Sequence, residues 1–429
     1  MRSHIISIGN ELLIGDTINT NASWLGRFLT EHGVEVAAVL TVGDNLNHLK
    51  SVLQQSLTEA DLVITTGGLG PTHDDITKKA VSELFETGMV IHEPTLEYIK
   101  KIFKKRNIPF SKSNYLQAEV PDNCEVLFNK QGTAPGMWFR HGAGRLAVLP
   151  GVPHEMRHLM EHKVLDKIRE FEEGEQKRLS RFIVTAGIGE STLSDEVIGE
   201  GLEHFFSNSL SVAFLPNVFG TKIRISAAGE TYDDIKSKIE PVAQFIYNKA
   251  SDHIIGEGKE LTIAEALGNL LRERSLTIGV AESCTGGLVS DTLTDVAGSS
   301  DYFKGGIIAY ANEIKTELLG VRDEMLKKRG AVSCEAALQM ARGVAERLHT
   351  DVGLATTGIA GPGGGTSQKP VGTVWLGCYT ADSHFAIKAV FTKNRRINKE
   401  RSAATVLEAA RRALKGIKTM PYGLKPYFN

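Results

Sequence analysis

Short β-branched runs recur at both ends of this chain, and each breaks at a tight turn before an amphipathic segment. His4-Ile-Ile-Ser-Ile-Gly9 leads into Asn10–Asn21 and a helix expected over 24–32. Val34–Val42 ends at Gly43-Asp44, ahead of a helix over 46–57. Asp61-Leu-Val-Ile-Thr-Thr66 opens onto Gly67-Gly-Leu-Gly-Pro-Thr-His-Asp-Asp75. Strands that alternate with helices predict an α/β fold on a mostly parallel sheet covered on both faces. Ligands of such sheets bind beyond the carboxyl ends of the strands. The stretches holding Asp44 and Asp75 both sit there, so they are placed to share a pocket. Gly67, Gly68 and Gly70 let a backbone approach a phosphate closely, and carboxylates beside such a nest suit a bridging divalent cation. The plainer reading of the same residues is a helix N-terminus capped by aspartate.

Leu276-Thr-Ile-Gly-Val-Ala-Glu-Ser-Cys-Thr-Gly-Gly-Leu-Val-Ser290 repeats the pattern most sharply. An apolar strand meets Gly286 and Gly287, then a helix from Leu288 to Thr294. Ser283 falls on the turn, where backbone N–H groups of the following helix face whatever a hydroxyl attacks. Either Ser283 or Thr285 equally suits a helix cap. Cys284, one residue further on, reads as packing more readily than as a nucleophile. Further along, Asp301–Tyr310 reads as a strand, and Val352–Thr356 as another that runs into Thr357-Gly-Ile-Ala-Gly-Pro-Gly-Gly-Gly-Thr366. No Gly-Lys-Ser/Thr closes that loop as in a Walker motif, but it offers free N–H groups for a phosphate or an oxyanion. A hairpin over 371–392 and a last helix over 400–415 follow, with Arg395, Arg396 and Arg401 near its start.

Composition excludes more than it selects. At 429 residues the chain is expected to hold two or three domains. Its 49 basic and 51 acidic residues give a formal net charge of −2, with no basic footprint for nucleic acid. The four cysteines are far apart, without zinc or redox spacing, so reduced thiols in a cytoplasmic protein are expected. No apolar run is long enough to span a membrane, and none reads as a signal peptide. The charged run 170–178 reads as a linker. A small α+β module follows, with strands at 180–186 and 222–228 and helices near 190–205 and 233–249, expected to serve as a spacer or dimerisation element.

His154-Glu-Met-Arg-His158 matches the His-Glu-x-x-His pattern of zinc proteases. A catalytic zinc needs a third protein ligand, and Glu161 and Val164 stand where a metzincin extension would place glycine and histidine. Glu170, Glu172 and Glu173 lie in a solvated run. Glu155 is instead expected to reach back toward the Gly67–Asp75 pocket.

Ala281-Glu-Ser-Cys-Thr-Gly-Gly287, Gly306-Ile-Ile-Ala-Tyr-Ala-Asn-Glu-Ile-Lys315 and Thr356-Thr-Gly-Ile-Ala-Gly-Pro-Gly-Gly-Gly365 together resemble the C-terminal domain of the CinA family. Gly9-Asn-Glu-Leu-Leu-Ile-Gly15, Gly67–Asp75 and Pro150-Gly-Val-Pro-His-Glu155 resemble the molybdopterin-binding-like domain that precedes it. The resemblance spans the chain and implies domains at 1–170, 171–257 and 258–417. For the last it implies nicotinamide mononucleotide (NMN) amidohydrolase activity without a cofactor. Ser283 is the implied nucleophile and Lys315 the base, with Tyr310 able to bridge them. Cys284, Thr285 and Gly286 on the turn, Thr357 and Gly358, and Arg395 or Arg401 would hold the substrate. For the first domain it implies an ADP-ribose pyrophosphatase dependent on magnesium, manganese or cobalt. Asp44, Asp75 and Glu155 would be the metal ligands, and Gly67, Gly68, Gly70 and Thr72 would line the phosphate site. Asn10 stands where some relatives carry aspartate or threonine and is not counted as a ligand. A homodimer acting on small nucleotides, away from membranes and without direct nucleic-acid contact, is expected. The rival readings are a molybdopterin-type binding protein and an accessory protein of competence or recombination.

Overall fold

In a computed structural model the chain forms two compact units, residues 1–179 with 228–232, and residues 180–227 with 233–429. The structure describes residues 1–70, 72, 75–105, 107, 109–142, 144–171 and 177–428. Asp74, Glu172, Glu173 and much of the expected linker therefore lie outside the described residues.

The first unit contains β1 (Arg2–Ile8), β2 (Glu35–Val42), β3 (Leu62–Thr66), β4 (Met89–Ile91), β5 (Glu119–Pro121), β6 (Glu125–Leu127), β7 (Gly136–His141) and β8 (Gly144–Leu149). Its main sheet runs β2-β1-β3-β8-β7-β6, and β4 pairs with β5 separately. The β2-β1-β3-β8 pairs are parallel, and β7 and β6 continue antiparallel. Neighbouring apolar residues on one strand enter different cores, because side chains alternate faces. Ile5 and Ile64 pack with Leu25, Leu29 and Met156, whereas Ile6 and Val63 pack with Leu49 and Leu53. That two-sided burial is why these strands read as unbroken apolar runs.

A four-stranded sheet follows in the chain, of β9 (Lys177–Thr185), β10 (Leu210–Asn217), β11 (Gly220–Gly229) and β12 (Ile254–Glu257), ordered β10-β11-β9-β12. The helix expected near 190–205 is a π-helical turn, Thr192–Ile198, and a short 3-10 segment, Leu202–Phe205. Gly199 and Gly201, both at positive φ, interrupt it. The helix Tyr232–Ala250 is continuous and buries Ile235, Ile239, Val242 and Ile246 at helical spacing.

β13 (Ile278–Glu282), β14 (Phe303–Ile308), β15 (Val352–Gly358), β16 (Thr373–Tyr379), β17 (His384–Val390) and β18 (Pro426–Phe428) form the last sheet, ordered β14-β13-β15-β16-β17-β18. β14, β13 and β15 are parallel; the rest are antiparallel. The helix Cys334–Leu348 lies on it with almost no side-chain spacing. A Cβ on Gly353 would stand 2.0 Å from the Ala341 carbonyl oxygen, and one on Gly377 2.3 Å from that of Ala337. A Cβ on Gly343 would stand 1.9 Å from the carbonyl oxygen of Leu319, the last residue of the helix Asn312–Leu319. Glycine at these three positions lets backbone meet backbone.

The final helix, Arg395–Lys415, carries a buried ionic knot that ties this sheet domain to the module before it. Glu408 accepts from Arg411 Nε at 2.7 Å and from Arg412 Nε at 2.6 Å. Arg411 also donates to the Asp252 carbonyl at 3.3 Å, and Arg412 to the Ala186 carbonyl at 3.3 Å and His253 Nδ1 at 2.9 Å. None of the three charged side chains is more than 1% exposed.

Candidate active sites

Glu282 ends β13 fully buried, and its carboxylate organises the turn that follows. It accepts from the backbone N–H of Gly287 (2.9 Å), Val289 (3.1 Å) and Ser290 (2.8 Å), and from the Ser290 hydroxyl (2.8 Å). These donors open the helix Leu288–Thr294, so a strand-borne carboxylate takes the place of a local cap. Gly286 (φ +60°) and Gly287 (φ +97°) supply the left-handed backbone that brings the helix back over the strand. Ser283 is held above the strand end, with its N–H donating to the Thr356 carbonyl at 2.9 Å. An oxyanion must therefore be met by N–H groups further along the turn than that of Ser283. Neither Ser283 nor Thr285 caps the helix: Thr285 is fully buried, its hydroxyl 2.6 Å from that of Thr356.

Ser283 and Lys315 line one cavity of about 230 Å³, with Cys284, Tyr310, Asn312, Thr357, Gly358 and Arg395 among its other walls. Lys315 stands in the first turn of the helix Asn312–Leu319, not at a strand end. The preceding strand, β14, is an alternately exposed edge rather than a buried one. Burial of Lys315, only 1% exposed, comes from the inward face of its own helix. Its Nζ donates to the carbonyls of Ala309 at 2.8 Å and Tyr310 at 3.0 Å, with a longer contact to Ala311 at 3.5 Å. Loss of hydration lowers its pKa below the ordinary lysine range, with Cys284 and Glu313 acting the other way. A neutral amine has two N–H donors, which the two short contacts satisfy, leaving its lone pair free to accept a proton. No hydrogen bond joins Nζ to the Ser283 hydroxyl among the described residues; the two groups meet only through the cavity they share.

Tyr310 does not bridge the pair through its ring. Its hydroxyl accepts from Arg395 Nη2 at 3.3 Å, and its carbonyl is what holds Lys315. Arg395 donates its other arm to the Gly361 carbonyl at 2.9 Å and so spans the cavity mouth. Arg401 is not among the lining residues. Thr357 and Gly358 close β15 rather than forming a free loop, and the Thr357 hydroxyl donates to the Ala331 carbonyl at 2.7 Å. Asn312 also lines the cavity; it was not singled out from the sequence, although it lies within the Gly306–Lys315 motif. Burial pushes the Cys284 thiol up to about 12, so it is not a thiolate nucleophile near neutral pH. Cys284→Ala is accordingly expected to change the turnover of this site by less than about threefold, within the range of a packing change. A loss comparable to that of Ser283→Ala would make the sulfur the nucleophile.

The first unit has its own cavity of about 290 Å³ beyond the strand ends, whose walls include Gly68, Gly70, Asp75, Gln117, Gly151 and Glu155. Asp75 accepts from the N–H of Thr72 at 2.9 Å and from its hydroxyl at 2.5 Å, so Thr72 fixes the carboxylate. Gly67 approaches the β1 backbone, with a Cβ there 2.3 Å from the Ile8 carbonyl oxygen; its own carbonyl accepts from the Thr77 hydroxyl at 2.9 Å. Glu155 is 9% exposed and accepts from Asn129 Nδ2 at 2.6 Å. Burial raises its pKa, with the Asn129 hydrogen bond and His154 acting the other way. Asp44 is not in this cavity; its carboxylate accepts from the Asn10 N–H at 3.1 Å, and the Asn10 amide oxygen accepts from the Asp44 N–H at 3.2 Å. Among the described residues no group of three or more His, Cys, Asp or Glu is placed to hold a metal. Of the three expected ligands, Asp75 and Glu155 line this cavity together and Asp44 does not. Two carboxylates still suit a hard cation that keeps waters and takes further oxygens from a substrate phosphate.

The His-Glu-x-x-His motif splits between two faces. His154 and His158 line an open pocket with Gln131, Arg157 and Glu161, whereas Glu155 faces the Asp75 cavity. The histidines and the glutamate therefore do not share the single site a zincin requires.

Residues 260–414 match the model of the CinA C-terminal domain, residues 4–170 that of a probable molybdopterin binding domain, and residues 180–256 that of the damage-inducible protein CinA KH domain. A CinA-like protein of Salinibacter ruber is 42% identical over 416 residues, covering 96% of this chain and 100% of its own. One from Chloroherpeton thalassium is 40% identical over 422 residues, covering 96% and 99%. A crystal structure of the protein CinA from Thermoplasma acidophilum is 36% identical, covers 38% of this chain and 96% of its own, and superposes with a TM-score of 0.36. Among the described residues no helix is long and apolar enough to cross a membrane.

Proposed function

This chain belongs to the CinA family, and on that premise we propose that it is a bifunctional nucleotide hydrolase. Its Ser283 site deamidates NMN to nicotinate mononucleotide and ammonia. The observation that carries this reading is Lys315: a lysine amine buried on the wall of the cavity that Ser283 faces, with its pKa lowered by lost hydration. A buried lysine without a carboxylate partner is costly as structure and useful as a base.

In the proposed reaction Ser283 Oγ attacks the carboxamide carbon while Lys315 Nζ takes the hydroxyl proton. Collapse of the tetrahedral adduct breaks the C–N bond, and the same proton leaves with ammonia. Water then hydrolyses the acyl ester, with Lys315 again as the base, and restores the hydroxyl. The cavity, about 230 Å³, is smaller than the roughly 300–1,000 Å³ of sites that enclose a whole drug-sized ligand. It suits the nicotinamide end alone, leaving the ribose and 5′-phosphate at the mouth, where Arg395 is the cation.

For the first unit we propose ADP-ribose hydrolysis to AMP and ribose 5-phosphate, with Asp75 and Glu155 holding a divalent cation. The cation would screen the pyrophosphate and lower the pKa of a bound water. Thr72 keeps Asp75 oriented, and burial makes Glu155 a carboxylate in want of a positive partner. Exhaustive chelation is expected to abolish AMP release, with recovery on added magnesium, manganese or cobalt, while ammonia release from NMN persists. Asp75→Asn is expected to lower AMP release by about 10²-fold or more, since a ligand to the charge-stabilising ion is lost. AMP release that survives chelation would exclude the cation's role. Binding of ADP-ribose without any turnover would favour the molybdopterin-type binding reading instead.

A further inference from the structure

Asp75, Glu155 and Gln117 line one cavity in the first unit. The first two are fixed by neighbours: Asp75 accepts from Thr72, and Glu155 from Asn129. Gln117 has no such neighbour. It is 9% exposed, and its side-chain amide makes no hydrogen bond among the described residues. An amide carries two N–H donors and an acceptor, and taking them out of water without a partner costs free energy. Packing alone does not explain it, because methionine would fill the same wall without that cost.

The main chain of Gln117, by contrast, is secured. Gln117 ends the helix Lys112–Gln117, whose last carbonyls have no partner within the helix. Lys78 supplies one from another element. Its Nζ donates to the Leu116 carbonyl at 2.9 Å and to the Gln117 carbonyl at 3.0 Å. Lys78 is 8% exposed, stands on the helix Thr77–Leu84 that follows Asp75, and has no ion pair among the described residues. Burial lowers its pKa to about 8, with Glu119, Asp75 and Cys124 acting the other way. A buried amine thereby fixes the backbone that carries the unpaired amide.

We propose that the Gln117 amide is a substrate contact of this cavity, donating to a non-bridging oxygen of a bound pyrophosphate, and that Lys78 is the positioning residue that fixes it. Ionised Asp75 and Glu155 are acceptors only, so they reach a phosphate through a cation and not directly. An amide N–H reaches a phosphate oxygen without one, and the negative charge strengthens the bond. The inference rests on the nucleotide-diphosphate reading of this cavity but not on hydrolysis, because binding alone tests it.

The experiment is calorimetric titration of the full chain, in excess magnesium, with two probes. One is α,β-methylene-ADP-ribose, whose bridging methylene cannot be hydrolysed, and the other is inorganic pyrophosphate. Gln117→Met keeps the length of the side chain and removes its polar atoms. It is expected to weaken both probes by about tenfold to a hundredfold, the scale of one hydrogen bond to a charged group. Binding of magnesium alone is expected to stay as in the parent, and the melting temperature to be no lower. Lys78→Met is expected to weaken both probes as well. Combined with Gln117→Met it is expected to add nothing to the loss from Gln117→Met alone, because the lysine acts through that amide. Unchanged affinity in Gln117→Met, a loss confined to the methylene analogue, an equal loss of magnesium binding, or no binding of either probe by the parent would each overturn the contact. Additive losses in the double variant, or a Lys78→Met chain that does not fold, would make the lysine structural only. Failure of the hydrolysis reading shows differently: the parent would bind both probes and release no AMP from ADP-ribose.

Discussion

Alanine at position 283 is expected to lower ammonia release from NMN by at least about 10³-fold while leaving the melting transition in place, because a nucleophile is lost and no packing is disturbed. Lys315→Met is expected to do the same. Methionine fills the buried volume of the lysine stem, so the comparison isolates the amine. Lys315→Arg is not expected to rescue activity, since a guanidinium stays protonated and has no lone pair to offer. The pH dependence carries the sharper test. Burial lowers the pKa of Lys315, so deamidation should rise with pH as that ammonium loses its proton, and then level off. In Lys315→Met the residual rate should lack this limb. If it keeps the parental limb, the base lies elsewhere, whatever the size of the loss.

The second large effect concerns stability. Glu408→Gln keeps the shape of the side chain and removes its charge, leaving Arg411 and Arg412 buried without a carboxylate between them. Stranding buried charge in this way costs about 3–5 kcal/mol. A denaturant titration should show an early transition of the second unit, with the module at β9–β12 released first, because both arginines reach across to it. A shift below about 1 kcal/mol would mean that the knot is solvated, as surface ion pairs are. Acid should weaken the same junction. The His253 ring accepts from Arg412, and its pKa is lowered, first by burial and then by that guanidinium. The folded form therefore favours the neutral ring. Above the free imidazole value of about 6.5 both states are neutral and the full stability is present. As pH falls below it, the unfolded chain takes up a proton first, and stability declines until the folded pKa is passed.

Much of this architecture is legible in the chain because its signals are local. β1, β3, β13 and β15 are dense in β-branched residues and buried on both faces, so each announces itself without knowledge of its neighbours. The Ser283 turn is legible for the same reason: two adjacent glycines after a buried strand admit few other conformations. What escapes is set by tertiary partners. β10 carries Pro216 and lies at the sheet edge without a clean alternation of buried and exposed residues, so no strand signal stands out there. Glu408, Arg411 and Arg412 have the spacing of an exposed i, i+3, i+4 pair on a solvated helix, yet they lie in the interior. The choice of Arg395 over Arg401, the use of the Tyr310 hydroxyl by Arg395 and of its carbonyl by Lys315, and the absence of Asp44 from the walls of the Asp75 cavity all depend on which elements meet. No residue type or interval encodes that.

One contact in the fold bears on how the Ser283–Lys315 site keeps its geometry. Gly343 lets the helix that ends at Leu319 rest main chain to main chain on its neighbour, and that helix carries Lys315. A joint between two backbones has no rotamers to sample. The seat of the amine is therefore machined rather than sprung: thermal agitation of side chains blurs it little, and drift in the surrounding core has no slack through which to move it gradually. On the proposed reading, whatever diversity such a site tolerates in its substrates would enter at the mouth, beside the Arg395 guanidinium, and not at the depth of the Lys315 amine.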